Sequence, residues 1–309
     1  MYLEVNNLSK SYNGLYALKD VNFSLEKGKF LSLLGPSGSG KSTILHSIGG
    51  FIDHEGTISL DGEDITNLGP EKRNVSTVFQ SLGLFAHMTV YQNVSYGLKF
   101  NNKGLSQAEK KKLSLDTIEM VGLAGYETRK PHELSGGERQ RVALARSLVV
   151  KPKILLMDEP LSALDQKLRE KMQLEIRRIH KDFDLTTIFV THDQAEAFIM
   201  ADEVIVLNKG EIVDRGTPQD IYNKPANKIS LDFIGQKNYV EESYVRPEKI
   251  TISDAGEEFV IKDILFLGNI LEIVASNGQI DLTVMELNNN NQYKVGDTIR
   301  LKYELEQIK

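Results

Sequence analysis

The sequence predicts a parallel α/β core with an antiparallel β segment before it, a helical insertion inside it and a small all-β domain after it. Three observations carry that prediction. Short apolar strand candidates, Lys29–Leu34, Ile154–Met157, Thr187–Val190 and Val204–Leu207, alternate with helical stretches, as strands buried on both faces do. From about Thr89 to Leu148 the spacing is helical instead. After about Gly235 short strand candidates follow one another, separated by Gly, Asn and Asp. These changes place the domains at 1–235, with a helical part at about 89–150, and 236–309.

The elements follow in order. Leu3, Val5 and Leu8, then Ala17, Leu18, Val21, Phe23 and Leu25 before Glu26-Lys27-Gly28, read as short antiparallel strands with turns. Lys29–Leu34 runs straight into Gly35–Ser42, and Thr43–Ile48 reads as a helix. Gly56–Leu60 with the turn Asp61-Gly62 predicts a hairpin. Lys99–Lys112 is polar and basic, a loop and solvated helix start, and Leu113–Val121 has one apolar helix face. Pro131 and Gly136-Gly137 interrupt the pattern before a helix at Glu138–Val150. Asp165–Lys181 is a charged helix with Leu168, Met172, Ile176 and Ile179 on its buried face. Beyond Gly235, Val245, Ile250, Phe259–Ile261, Ile264–Leu267, Ile270–Val274, Ile280–Val284 and Thr298–Tyr303 are strand candidates for a small barrel, with Asn288–Asn291 a polar turn or loop. No internal repeat is visible.

Composition bounds the function. The 309 residues suit a large domain plus a smaller one. Apolar residues at 40 % and charged residues at 26 % are ordinary for a globular chain. A net charge of −6 gives no broad electrostatic reason to bind nucleic acid. With no cysteine, disulfides and thiolate chemistry are excluded. The first residues lack a basic segment followed by an apolar run, and no stretch approaches the roughly 18 apolar residues of a membrane span. The chain is expected in the cytosol or held at a membrane by another protein.

The chemistry lies in a few segments. Gly35-Pro36-Ser37-Gly38-Ser39-Gly40-Lys41-Ser42 fits G-x-x-x-x-G-K-[ST], in the strand–loop–helix context of a phosphate-binding loop. Its glycines let backbone N–H groups converge on phosphate oxygens before a positive helix end. Lys41 would reach the β- and γ-phosphates of ATP, and Ser42 would ligate Mg2+. Asp158 and Glu159 end a predicted strand. One carboxylate can hold hydrated Mg2+ while the other orients or deprotonates water, the two tasks of phosphoryl transfer. His192, after the strand Thr187–Thr191, could contact a γ-phosphate or hold that water. No zinc-ligand spacing surrounds it, and the other five histidines form no constellation. Ser135-Gly136-Gly137 before a helix can be a cap or a contact for a second nucleotide. The sequence pattern leaves that open.

Together the segments resemble the ATP-binding subunit of ABC transporters. Leu134–Arg141 (LSGGERQR) is similar to the family's signature, Gly35–Ser42 to its Walker A motif and Ile154–Glu159 to its Walker B motif. Ser162-Ala163-Leu164-Asp165 is similar to the D-loop, Gln80 to the Q-loop glutamine and His192 to the switch histidine. Tyr12 stands where the family stacks a ring on adenine. The motifs run in the family's order over residues 1–235. The resemblance implies a P-loop ATPase and a head-to-tail homodimer with ATP and Mg2+ in shared sites. Lys41, Gln80, Glu159 and His192 would be catalytic. Tyr12, Gly35, Ser37–Thr43, Ser135–Gly137 and Asp165 would contact nucleotide, and Ser42, Gln80 and Asp158 would contact metal. Ser135–Gly137 of one subunit would meet the γ-phosphate held by the other.

The resemblance also implies two transmembrane permease subunits and, through them, an extracellular or periplasmic solute-binding protein. The chain would then be a peripheral protein on the cytoplasmic face. Val78–Val90 resembles the segment that lines the permease groove, although the family often has proline at Ala86 and an aromatic residue near Leu82. Val245–Glu248 and Lys294–Ile299 resemble the OB-like TOBE domain of bacterial importers for spermidine/putrescine, ferric iron, sulfate, molybdate and sugars. The shorter C-terminal region favours polyamine or ferric iron over sugar. The different-class reading is a soluble ATPase acting on nucleic acid or ribosomes. A single phosphate loop, no long coiled-coil insertion and an acidic balance disfavour it, and intact Asp158, Glu159 and His192 disfavour a binding module without turnover.

Overall fold

The computed structural model describes residues 1–101, 104–289 and 293–308. They form two compact units, Met1–Lys224 and Pro225–Lys309. In the first unit, β1 (Leu3–Tyr12), β2 (Leu15–Leu25), β4 (Glu55–Leu60) and β5 (Glu63–Asp64) make an antiparallel sheet in the order β2-β1-β4-β5. A second sheet holds β3 (Phe30–Leu34), β6 (Val75–Val78), β7 (Ile154–Asp158), β8 (Thr187–Thr191), β9 (Glu203–Asn208) and β10 (Glu211–Gly216). Its order is β10-β9-β3-β8-β7-β6, parallel except for the β9–β10 pair.

The helix α1 (Lys41–Gly49) shares one apolar core with both sheets, through Ile44, Leu45 and Ile48 against Leu3, Val5, Leu33 and Val190. Arg73 anchors the far end of α1. Its buried guanidinium donates to Ser47 O at 2.5 Å and Ile48 O at 2.9 Å, and to Thr66 O and Leu68 O beyond the antiparallel sheet. A fixed cation on the last carbonyls satisfies acceptors that the helix cannot.

The helical part contains α2 (Val90–Ser95), α3 (Leu98–Asn101), α4 (Gln107–Met120) and α5 (Gly136–Leu148). The expected helix at Glu138–Val150 begins earlier because Ser135 and Glu138 form a reciprocal capping box around its first turn. Buried Asn93 ties the preceding loop to α2, accepting from Phe85 N–H and donating to the carbonyls of Phe85, Met88 and Thr89. Then α6 (Gln166–Asp182) buries Met172, Ile176 and Ile179, while Leu168 is only half-buried. The helices α7 (Gln194–Met200) and α8 (Pro218–Asn223) complete the unit. Among the described residues, no helix is long and apolar enough to cross a membrane.

The second unit opens with α9 (Lys228–Phe233). Just after this helix, the buried guanidinium of Arg246 donates to Ile234 O and Gln236 O. The strands β11 (Asn238–Val240), β12 (Ser243–Val245) and β17 (Glu306–Gln307) form one small sheet. The other contains β13 (Thr251–Phe266), β14 (Ile270–Ser276), β15 (Asp281–Leu287) and β16 (Thr298–Lys302), in the order β15-β14-β13-β16. Phe259–Ile261 and Ile264–Leu267 are therefore not two strands. A register shift between Ile261 and Asp263 lets one strand continue. Ile250 lies in the link before this strand and is buried. Asn288 donates its N–H to Asn269 O; residues 290 and 291 of the expected polar loop lie outside the described residues. Val245, Phe259, Ile273, Val284 and Leu301 belong to this unit's own apolar core.

Candidate active site

Register puts the chemistry on one edge. Leu34 pairs with Thr191, and Asp158 with Val190, so β3, β7 and β8 end together. The loops that leave these ends carry residues 35–42, Glu159 and His192, while Gln80 follows the adjacent β6. The carboxyl edge of parallel strands is where α/β sheets place ligands.

The phosphate loop is built for a narrow geometry. Gly40 precedes α1 at φ +103°, and a Cβ there would lie 2.7 Å from Ala17 O. Only glycine meets both demands. Ser37 and Gly38 are exposed at the loop tip, and Gly210 N–H holds Ser39 O at 3.0 Å. The N-terminus of α1 has neither a side-chain cap nor an acidic residue in its first turn. Its N–H groups and positive dipole end are thus left for an anion. Lys41 is buried and donates to Gly35 O and Pro36 O, each at 2.9 Å. Burial pushes its pKa down, while Glu159 and Asp158 pull it back up. Among the described residues, Ser39 Oγ is buried without a hydrogen-bond partner, an orphan that a phosphate oxygen would satisfy. Thr43 is half-buried on α1, and its carbonyl accepts from Ser47 Oγ.

Asp158 meets the loop directly. Its Oδ1 accepts from Ser42 Oγ at 2.9 Å, and its Oδ2 lies 3.5 Å from His46 Nε2. A hydroxyl beside a carboxylate is a hard-oxygen donor set that suits Mg2+. Glu159 adopts φ +43°, an uncommon left-handed conformation for a side chain of its size. Its N–H is held by Val190 O at 3.1 Å, and its Oε2 lies 3.5 Å from His192 Nδ1. Ser162 Oγ donates to Glu159 O at 2.9 Å and accepts from Gln80 Nε2 at 3.1 Å. Lys41, Ser42, Gln80, Asp158, Glu159 and His192 therefore belong to one linked cluster.

The signature segment is organised separately. Ser135 N–H donates to Glu138 Oε2 at 2.7 Å, and Ser135 Oγ accepts from Glu138 N–H at 3.4 Å. The backbone N–H and the hydroxyl of Ser135 both hold the Glu138 carboxyl below its ordinary pKa. A Cβ on Gly137 would lie 2.9 Å from Leu168 Cδ1, so α5 approaches the start of α6 closely at this glycine. Gly136 precedes it in the first turn, and Asp165 caps α6 by accepting from Leu168 N–H at 3.0 Å. Among the described residues, no hydrogen bond or ion pair joins Ser135–Gly137 to residues 35–43 of the same chain. Tyr12 is half-exposed, with Lys10 Nζ 5.1 Å from its ring centroid.

Sequence reasoning found no constellation for the other histidines, yet His46 reaches Asp158. Its spacing of four residues from Ser42 on one helix is the signal that would have found it. Arg169, Thr191 and Glu196 were also missed; they surround the loop that carries His192.

Comparison with known proteins agrees with this geometry. The family described as ABC transporter matches residues 18–162. The dimeric ATP-binding cassette MJ0796, in a post-hydrolysis state bound to ADP and Pi, is 34 % identical, with a TM-score of 0.62. The match covers 70 % of this chain and 98 % of that one. A second dimeric structure of MJ0796, described as a bacterial ABC transporter cassette, matches equally. The protein cbiO1 of Clostridium perfringens, part of the ABC transporter complex cbiONQ, is 30 % identical, with a TM-score of 0.67. That match covers 73 % of this chain and 92 % of that one. The chain belongs to the ATP-hydrolysing ATP-binding cassettes of ABC transporters.

Proposed function

We propose that two copies of this chain close head to tail on two ATP molecules and energise import of a small solute through partner membrane subunits. One observation carries the reading: the α1 N-terminus, Lys41, Ser42, Asp158, Glu159 and His192 share one edge, while Ser135–Gly137 forms a second, separately capped anion-ready turn. A second copy would bring that turn to the γ-phosphate. The dimeric state of MJ0796 supports the same arrangement.

On ATP binding, Lys41 exchanges two carbonyl partners for the β- and γ-phosphates, and the α1 N–H groups and Ser39 Oγ donate to phosphate oxygens. Ser42 and Asp158, with Gln80 nearby, would hold Mg2+, which neutralises phosphate charge when bound. Tyr12 would stack on adenine, and Asp165 would contact nucleotide across the interface. Glu159 takes a proton from the attacking water as its oxygen bonds to the γ-phosphorus and the bond to ADP breaks. His192 orients that water, and the Ser135 hydroxyl with the Gly136 and Gly137 N–H groups stabilises the charge that develops. Loss of the γ-phosphate removes the shared anion and lets the copies part.

The partners in this reading are two permease subunits and an extracellular or periplasmic solute-binding protein, with the chain on the cytoplasmic face of the membrane. The catalytic part is assigned to residues 1–235 and an OB-like TOBE part to 236–309. The second unit's two antiparallel sheets and separate core support the latter. Polyamine or ferric iron is the favoured cargo. The test is co-purification of the membrane and binding-protein partners, followed by ATP-driven uptake into vesicles. Uptake of spermidine, putrescine or ferric iron is expected. ATPase stimulation by DNA or ribosomes, with none by the membrane subunits, would overturn the reading.

A further inference from the structure

We propose that Arg169 is a positioning residue that locks the His192 loop and the 162–165 loop into one unit, and so sets the alignment of His192 with Glu159. The inference rests on the roles given to Glu159 and His192 under Proposed function.

Arg169 projects from the first turns of α6 and spreads its guanidinium over two loops. Nη2 donates to Leu164 O at 3.1 Å. Nη1 lies 3.6 Å from Asp193 Oδ2, and Nε lies 3.7 Å from Glu196 Oε1. The contact with Leu164 O is a hydrogen bond, while the two carboxylates are held by charge at longer range. Both carboxylates flank the histidine. Asp193 follows it directly and caps α7, accepting from the N–H groups of Ala195 and Glu196. Glu196 is buried and accepts from Thr191 Oγ1 at 2.6 Å, while Thr191 Oγ1 accepts from Asp193 N–H at 3.0 Å. Both backbone neighbours of His192 are thereby fixed, while its own ring stays exposed and 3.5 Å from Glu159 Oε2.

The second loop holds the backbone of the same glutamate. Ser162, two residues before Leu164, donates to Glu159 O. Arg169 therefore touches both loops that frame Glu159 without touching its carboxylate. A cavity of about 30 Å³ is lined from both, with Glu159, Ser162, Arg169, His192 and Asp193 among its walls. It exceeds the roughly 10–15 Å³ that one water needs, so a small loop shift would alter both the Glu159–His192 distance and the room for water. Burial raises the pKa of Glu196. Without the guanidinium, that buried carboxylate and Asp193 would lose their shared cation, and the His192 loop would be free to re-pack.

The test is a double-mutant cycle in the full chain, measuring single-turnover ATP hydrolysis, ATP affinity and thermal midpoint. Arg169→Ala is expected to slow hydrolysis at least about tenfold while ATP affinity stays within about twofold, as for a group acting on the transition state alone. In a His192→Ala background, the same change should add less than about twofold, because its effect passes through the histidine. Arg169→Lys can bridge the carboxylates without also holding Leu164 O. It should recover part of the rate, and its remaining deficit should also vanish in the His192→Ala background. If Arg169→Ala fails to fold, the Lys variant completes the cycle alone. Multiplicative losses, or wild-type rates in both Arg169 variants while His192→Ala is impaired, would overturn the inference. A His192→Ala chain that hydrolyses ATP normally would overturn the underlying site reading instead.

Discussion

Replacing Glu159 with Gln removes one negative charge and one base while leaving the local geometry in place. The backbone at φ +43° is held by Val190 O and Ser162 Oγ, and neither bond involves the side chain. An amide can still face His192 across the present 3.5 Å. A positioned general base contributes about 10²–10⁴ in rate. Neither nearby carboxylate can replace it: Asp158 is engaged by Ser42 and His46, and Glu196 by Thr191 and Arg169. A loss of about 10³ is therefore expected, or ~4 kcal/mol at 1.36 kcal/mol per decade. Binding should respond differently. The substitution removes one of two carboxylates that support the charge on Lys41, but also a repulsion against the phosphates. These effects oppose, so ATP affinity should stay within about threefold, less than ~1 kcal/mol. Steady-state phosphate release and equilibrium binding of a fluorescent ATP analogue read the two quantities. Turnover above a third of wild type, or loss of binding in step with turnover, would refute this reasoning.

Three further outcomes follow from the same geometry. Ser39→Ala removes a buried hydroxyl with no partner among the described residues. It should stabilise the nucleotide-free chain by about 1 kcal/mol while weakening ATP binding, read by thermal shift with and without ATP; a change of the same sign in both would contradict the phosphate-donor role. Gly137→Ala places a Cβ against Leu168, where crowding of about 1–3 kcal/mol is partly offset by a helix-propensity gain of about 1 kcal/mol. Stability should fall by about 0–2 kcal/mol while turnover falls at least tenfold, and unchanged turnover would remove the glycine from the shared site. Burial holds the pKa of His180 below its ordinary 6.5, beside Thr187 Oγ1 and the ring of Phe30. The unfolded chain takes up this proton first as pH falls, so the stability contribution is present above 6.5 and is lost below it. His180→Asn should lose less thermal midpoint between about pH 7.5 and 5.5 than wild type; equal losses would contradict the assignment. His54 shifts in the same direction and leaves a residual slope.

The parts of the site that lie within short runs of sequence were legible before the structure. The phosphate loop is contiguous, and its strand and helix carry their own periodicity. Asp158-Glu159 ends an apolar run whose length already marks a strand. The contacts that cross the fold were not legible. His46 and Asp158 are brought together by α1 lying beside β7, and Arg169 reaches Glu196 only because α6 meets α7. In the second unit, Asp and Gly read as turns, yet β13 continues through them. Gly256 sits at φ +135° where a Cβ would lie 2.3 Å from Leu301 O, and the register shifts between Ile252 and Glu257. A glycine inside a strand marks such a bulge as readily as a turn. The early start of α5 was obscured because Gly136-Gly137 reads as a break. The capping box and the close approach to Leu168 make glycine fit the first turn.

The central claim is that the phosphate loop is half of a site completed by a second copy. The direct measurement is the solution mass of the Glu159→Gln chain by sedimentation, with and without saturating Mg-ATP. The account predicts twice the monomer mass with Mg-ATP, the monomer mass without it, and no ATP-induced change once Lys41→Ala is added. A chain that binds ATP fully and still sediments as a monomer would contradict it.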